Sequence, residues 1–234
     1  MIKAVFFDWF NTLARFEPPR EELYSQAFQQ FGIKLSPKDI IRGILTADRY
    51  YFEENTKSPV EKRSPQEQME VYLYYPNAIL TEAGVKAPKE LPLKILNIVK
   101  EQFRGMTFTL FDDVLSTLKT LKERKFILGL LTNLDKDMNP ICRELGLESY
   151  LDFVVTSAEV GVDKPEPPIF LTALQRAGVN ASEAVHVGDQ YKLDIIGARG
   201  VGIAPILIDR YDLYPEVSDC PRIHRLTERA EHLL

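Results

Sequence analysis

The sequence predicts an α/β protein: a parallel β-sheet flanked by helices, interrupted after its first strand by an all-helical insert. Three observations carry this prediction. Short apolar runs, one at the N-terminus and several in the second half, each end on polar residues. Helical spacing of apolar residues fills gaps between the later runs. From about residue 16 to residue 105 there are helix signals and no convincing buried strand. Strands that alternate with helices pair in parallel and are wrapped by those helices.

Lys3–Phe7 is an apolar run that stops at Asp8, and its lack of polar alternation marks a strand buried on both faces. The insert follows. Glu22–Phe31 carries helical spacing. Ser36-Pro37 with Asp39, and Ser64-Pro65 with Glu67, each set a capping serine before a proline at the first helical position, with an acid three residues after the serine. Leu93–Phe103 is a further helix. The insert is dense in aromatic residues (Tyr50, Tyr51, Phe52, Tyr72, Tyr74 and Tyr75), which either pack its helices together or line a substrate pocket.

The sheet then resumes. Val114–Arg124 reads as a helix, and Phe126–Leu131 as a strand running into Thr132-Asn133. Phe153–Val155 runs into Thr156-Ser157, and Pro167–Ala177 is helical. Ala184–Val187 ends at Gly188-Asp189, and Pro205–Ile208 ends at Asp209. Arg225–Leu234 is expected to form a short terminal helix. The expected domains are a core of residues 1–15 and 106–234 and a helical domain of residues 16–105. In parallel sheets the ligand sits beyond the carboxyl ends of the strands, where all these polar clusters fall.

A chain of 234 residues hides about 70% of its unfolded surface on folding. Apolar residues at 45% and charged residues at 27% exclude a disordered, collagen-like or disulfide-rich chain. A net charge of −5 argues against a nucleic-acid reader, whose domain carries a basic field. Cys142 and Cys220 lack metal-site spacing and read as free thiols of a reducing compartment. No apolar window is long enough to span a membrane. The N-terminal run meets Asp8 too early for a signal peptide, so the cytoplasm is the expected location. No Gly-x-Gly-x-x-Gly follows the first strand and no Gly-x-Ser-x-Gly elbow is present. His186 reads as a half-buried strand histidine, and His224 and His232 as inert tail residues.

Asp8, Thr132, Lys164, Asp189 and Asp194 thus stand at or close after strand ends. Four motifs in order carry a resemblance: Asp8-Trp9-Phe10-Asn11-Thr12, Leu131-Thr132-Asn133, Asp163-Lys164-Pro165, and Gly188-Asp189 with Asp194. This set resembles the haloacid dehalogenase-like (HAD) hydrolase superfamily, over the whole core. The resemblance implies a Rossmann-like core and a helical cap that closes over the site, with hinges near Ala14–Pro18 and Arg104–Phe108.

The chemistry of the residues agrees. A carboxylate can attack phosphorus or carbon and split one hard step into two, and Asp8 is the candidate nucleophile. Asp8 and Asp189 repel, so a cation is expected between them. With the backbone carbonyl of Phe10 they offer hard oxygen ligands suited to Mg²⁺, which would shield the nucleophile from a negative phosphate. Lys164 supplies a point charge for phosphate and for Asp8. The Thr132 hydroxyl and nearby backbone N–H groups can donate to phosphoryl oxygens. Asn133 and Asp135 are substrate contacts or loop acceptors. Asp194 is a metal ligand, an acceptor reached through water, or a partner for Lys164.

One position departs from the family pattern. Its phosphatases carry a second Asp two residues after the nucleophile, to protonate the leaving alkoxide and then activate water; here Phe10 occupies that place. General acid–base help is worth about 10²–10⁴-fold. Three outcomes follow: a Mg²⁺-dependent phosphatase that is slow or restricted to good leaving groups, a metal-free 2-haloacid dehalogenase, or a weak binding protein. The dehalogenase would need a cap arginine, for which Arg42 and Arg49 are candidates. Dehalogenases tend to replace the fourth motif's Gly-Asp, and Gly188-Asp189 with Asp194 is kept here, which favours the Mg²⁺-dependent hydrolase acting on a small phosphorylated molecule.

Overall fold

The structure is a computed structural model that describes residues 1–230 other than Arg104 and Asp135. The first strand, β1 (Ala4–Phe7), is buried at every residue, as an apolar run without alternation requires of a central strand. A second short strand, β2 (Ala14–Glu17), pairs with β3 (Thr107–Leu110) in a two-stranded sheet. The others are β4 (Ile127–Thr132), β5 (Phe153–Thr156), β6 (Ala184–Gly188), β7 (Ala204–Ile208) and β8 (Arg222–Ile223). With β1 they form a six-stranded sheet in the order β5-β4-β1-β6-β7-β8, and every pairing in it is parallel.

The chain steps from β1 outward through β4 to β5, then returns to the opposite side of β1 for β6. That reversal opens a crevice between the carboxyl ends of β1 and β6, the place where open parallel sheets bind ligands. The register pairs Phe7 with Val187, so Asp8 and Asp189 emerge on either side of it.

The chain divides into two compact units, Met1–Arg15 with Phe108–Leu234, and Phe16–Thr107. Strands β2 and β3 carry the two passages between them. Both strands were invisible in the sequence, because each is four residues long and largely outside the buried core. Arg104, part of an expected hinge, lies outside the described residues.

The second unit is helical: α1 (Arg20–Gln29), α2 (Pro37–Lys57), α3 (Pro65–Glu82) and α4 (Leu91–Phe103). The Ser36 hydroxyl accepts the Asp39 N–H at 3.1 Å. Ser64 and Glu67 form a reciprocal capping box, so both sequence caps satisfy otherwise orphaned donors. Phe28, Ile40, Ile44, Ile79, Ile95 and Val99 fill the unit's interior. Tyr50 stacks on Tyr74 at 4.1 Å and Tyr51 on Tyr72 at 6.2 Å. The Tyr75 hydroxyl donates to Asp48 at 2.8 Å, and Asp48 also holds Arg20 in a two-pronged ion pair. The aromatic residues therefore join α2 to α3. Among the described residues no helix is long and apolar enough to cross a membrane.

In the first unit the helices are α5 (Val114–Glu123), α6 (Asn139–Glu144), α7 (Ser157–Val160), α8 (Pro167–Ala177), α9 (Gly197–Gly200) and α10 (Thr227–Ala230). The expected terminal helix is seen as far as Ala230; residues 231–234, His232 included, lie outside the described residues. The sheet's two faces alternate residue by residue. Val5, Phe7, Leu128, Leu130, Val185 and Val187 pack with Val114, Leu118 and Leu121 of α5. Ala4, Phe6, Leu131 and Ala184 pack with Ile169, Phe170 and Ala173 of α8. Each large side chain buried this way contributes about 1.5–3 kcal/mol. Cys142 and Cys220 are buried and unpaired with each other.

Gly43 lies inside α2, where glycine costs about 1 kcal/mol relative to alanine. A Cβ there would sit 2.4 Å from the Ile79 Cα of α3, so the bare position sets how closely the two helices approach. Gly43→Ala is therefore expected to destabilise the helical unit by a net of about 1–3 kcal/mol in spite of its better helix propensity. Calorimetry would show this as a fall of several degrees in the unfolding midpoint, and a rise would contradict it.

Candidate active site

The site is built at the carboxyl ends of β1, β4 and β6. Asp8 continues β1 by one residue, with its N–H donating to the Val187 carbonyl at 2.9 Å. The chain then curls back. Leu13 and Ala14 N–H groups both donate to the Trp9 carbonyl, and the Asn11 N–H donates to Ala14. Trp9 is fully buried in the core and anchors the turn. Asn11 takes a positive φ of 58°, a conformation that Asn tolerates better than most residues. Its side-chain amide donates to Asp189 Oδ2 at 3.3 Å.

The nucleophile candidate is gripped from two sides. Lys164 Nζ donates to Asp8 Oδ1 at 2.5 Å, and the Thr12 hydroxyl donates to Asp8 Oδ2 at 3.3 Å. Lys164 is 2% exposed. Its ammonium has three protons, and it meets three acceptors: Asp8, Asp194 Oδ1 at 2.7 Å and the Leu131 carbonyl at 3.2 Å.

Asp194 sits on a single π-helical turn, Tyr191–Ile196, that follows β6. Its contacts include the partnership with Lys164, one of the three roles left open by the sequence. Its Oδ1 takes Lys164 and also His186 Nε2 at 2.9 Å, and its Oδ2 takes the Gln190 N–H at 3.0 Å. A Cβ on Gly188 would lie 2.2 Å from Asp194 Cγ, so glycine is what admits this carboxylate.

His186 is 0% exposed, not half-buried as the sequence suggested. β6 is a central strand covered on both faces, so its side chains have no solvent side to reach. The ring of Phe170 meets it edge-on at 5.3 Å, and Nδ1 has no hydrogen-bond partner among the described residues.

Thr132 closes β4 and is buried. Its oxygen accepts the Leu134 N–H at 3.2 Å, which leaves the hydroxyl proton to donate elsewhere. Asn133 is occupied: its Oδ1 accepts the Lys164 N–H at 2.7 Å and its Nδ2 donates to the Lys164 carbonyl at 3.1 Å. Asp135 lies outside the described residues. Phe10 packs partly buried against the core cluster that includes Trp9. Arg42 and Arg49 are both exposed on α2 of the helical unit.

Sequence reasoning missed Arg210. Its guanidinium donates to the Thr12 carbonyl at 2.7 and 3.2 Å and pairs with buried Asp113, and so braces the Asp8 turn from behind. Nothing local distinguishes Arg210 from other arginines that follow a strand. The Asn11 contact to Asp189 was equally silent, because it spans 178 positions of sequence.

Charge is concentrated here. Burial is the main influence on Asp8 and raises its carboxyl above the ordinary range; Lys164 opposes the rise and Asp194 adds to it. Asp189 is raised well above the ordinary range by burial first, then by Asp8 and Asp194. Burial would also raise Asp194, but the Lys164 ammonium and the His186 hydrogen bond outweigh it and hold that carboxyl low. Burial disfavours the charged form of Lys164, and its two carboxylate neighbours more than compensate. Ligand oxygens of Asp8, Asp189 and Asp194 all lie within 4.8 Å of one another. Asp189 Oδ1 is buried without a partner among the described residues. Crowded carboxylates with an unsatisfied oxygen are the donor set of a hard divalent cation, and these residues fit Mg²⁺.

Comparison with known proteins agrees with this arrangement. The family model for haloacid dehalogenase-like hydrolases matches residues 2–202. Haloacid dehalogenase-like hydrolase domain-containing protein 3 of Danio rerio is 31% identical over 98% of this chain and 94% of its own length. Ribulose-1,5-bisphosphate 5-phosphatase of Halopiger xanaduensis is 30% identical over 89% of this chain and 85% of its own. The crystal structure of 2-haloacid dehalogenase from Pseudomonas syringae pv. Tomato superposes with a TM-score of 0.57 at 28% identity, covering 100% of this chain and 98% of that one. With its strand order, its gathered motif residues and a family match over most of its length, the chain belongs to the haloacid dehalogenase-like hydrolases, a family of hydrolytic enzymes.

Proposed function

We propose that the protein is a Mg²⁺-dependent hydrolase of phosphate esters or anhydrides that works through an aspartyl-phosphate at Asp8. The observation that carries this reading is the trio of crowded carboxylates with the unpartnered Asp189 oxygen, set beside a buried lysine. Paired acids at this spacing make sense mainly with a cation between them. Asp8, the Phe10 carbonyl and Asp189 would hold the ion, with Asp194 behind them on Lys164. Bound Mg²⁺ would offset the negative charge shared by nucleophile and phosphate.

The chain's own residues do the rest. An Asp8 oxygen attacks phosphorus, the bond to the leaving oxygen breaks, and water later cleaves the acyl phosphate to free Asp8 and inorganic phosphate. Lys164 keeps Asp8 ionised and aimed. Its three protons are engaged, so the Thr132 hydroxyl proton and adjacent backbone N–H groups are the donors left for phosphoryl oxygens. Asn133 serves the substrate indirectly, by fixing the backbone of Lys164. Phe10 moves no proton, so the reading favours leaving groups that need none, acyl and aryl phosphates. The substrate is a small phosphorylated molecule and the setting cytoplasmic, with no nucleic acid or membrane involved. The Halopiger relative's phosphatase name points the same way. Phe10 also supports a second reading, metal-free dehalogenation, since halide leaves without a proton.

One panel separates the two. Aryl phosphate, acyl phosphate and 2-chloropropionate are assayed with Mg²⁺ and with EDTA. Phosphate release that EDTA abolishes is expected; chloride release in EDTA would establish the second reading instead. Asp8→Asn should lower phosphate release by at least about 10³-fold, and full activity in that variant would exclude the covalent step. By calorimetry Mg²⁺ should bind the wild type and bind Asp189→Asn at least about tenfold more weakly; no heat from the wild type would remove the metal. Phe10→Asp should raise hydrolysis of alkyl phosphates, by up to about 10²-fold if the new carboxyl reaches the leaving oxygen.

A further inference from the structure

We infer that His186 is a positioning residue for this site: its Nε2–H fixes the Asp194 carboxylate, which in turn locks the Lys164 ammonium onto Asp8. The inference deepens the reading above and rests on it for the role of Asp8. It starts from a cost. His186 occupies the centre of the sheet, opposite Phe6 in the register and edge-on to Phe170, on the face that packs against α8. Ala184 on the same strand belongs to that apolar cluster, and an aliphatic residue would satisfy the place. The imidazole instead brings two nitrogens into it, one of them with no partner among the described residues. A buried polar atom left unpaired is unfavourable, so the ring is justified by what its other nitrogen does.

That nitrogen meets Asp194 Oδ1 at 2.9 Å, the same oxygen that Lys164 Nζ meets at 2.7 Å. A carboxylate only accepts, so the proton lies on Nε2. Nδ1 then carries a bare lone pair, which is cheaper to bury than the unpaired N–H that a charged ring would leave there. Two donors now pin one oxygen of Asp194 and the Gln190 N–H pins the other at 3.0 Å, so the carboxylate plane cannot turn. The bare Cα of Gly188, two residues along the strand from His186, makes room for the carboxylate. Lys164 in turn has acceptors for all three protons. Without the imidazole, Oδ1 would be held only by the lysine it is there to position, with the Gln190 N–H on the other oxygen, and the lysine's hold on Asp8 would loosen.

The test follows the ammonium itself. In full-length protein with ¹⁵N-labelled lysine, the Lys164 side-chain resonance should be protected from exchange with water. His186→Leu should speed that exchange at least about tenfold while strand amides of β1 and β6 keep their protection, and His186→Gln, which retains a donor, should restore most of it. In aryl phosphate turnover the leucine variant should lose about tenfold in kcat with little change in KM. Equal Lys164 exchange in wild type and leucine variant would overturn the inference, as would a wild-type ammonium that exchanges too fast to observe. Should the leucine variant not fold, the wild-type ring decides at neutral pH: ¹⁵N shifts with a proton on Nε2 and a bare Nδ1 support the role, and a proton on Nδ1 alone refutes it. A wild type silent on every phosphate, with Lys164 exchange still obeying this pattern, would strike down the hydrolase reading and leave the positioning role standing.

Discussion

The site depends on one buried cation. Lys164 is almost without solvent and stands between Asp8 and Asp194. Removing a charge of this kind from water costs several kcal/mol, and the loss is recovered only when geometry and hydrogen bonding are close to ideal. Here the recovery comes from two carboxylates and the Leu131 carbonyl. Asn133 grips the lysine's backbone on both sides, and Gly188 leaves space for the second acid. Breaking any of these leaves a buried charge underpaired. A surface ion pair could drift without consequence; this one cannot, and its immobility suits the covalent role proposed for Asp8, since reacting groups must be held in place before the reaction starts.

The core's strands were legible because burial on both faces writes itself as an unbroken apolar run, as in β1 and β4, and because each run stops where the chemistry begins. The helices of the insert were legible from Ser36 and Ser64, whose caps the structure contains. Strands β2 and β3 were not. They are short, partly exposed and held by a partner about ninety residues away, so no local period marks them. The same limit applies within the site. Asp8, Thr132 and Asp189 could be singled out from their places at strand ends, and Lys164, which lies beyond α7, from its motif. The Asn11 amide on Asp189, the Arg210 brace on Thr12 and the double use of Asp194 are long-range contacts that exist only after folding. His186 was misjudged in exposure because a polar residue in a central strand gives no sign of its own that it reaches no solvent.

Phe10 gives the proposed reaction a chemical bias. The turn around it is set by Trp9 and by hydrogen bonds to Ala14, and its side chain joins the apolar packing of the core. The reaction proposed above keeps attack by Asp8 and does without proton transfer from residue 10. In the proposed reaction, selectivity therefore begins with the basicity of the departing oxygen.

Gly188 and Asp194 carry an implication for how such a chain can diverge. Any side chain at residue 188 would overlap the carboxyl carbon at residue 194. The constraint runs one way: the acid can change while the glycine stays, but the glycine cannot be enlarged while the acid keeps its place. Loss of the acid alone can therefore be undone, whereas a side chain gained at residue 188 bars the acid's return.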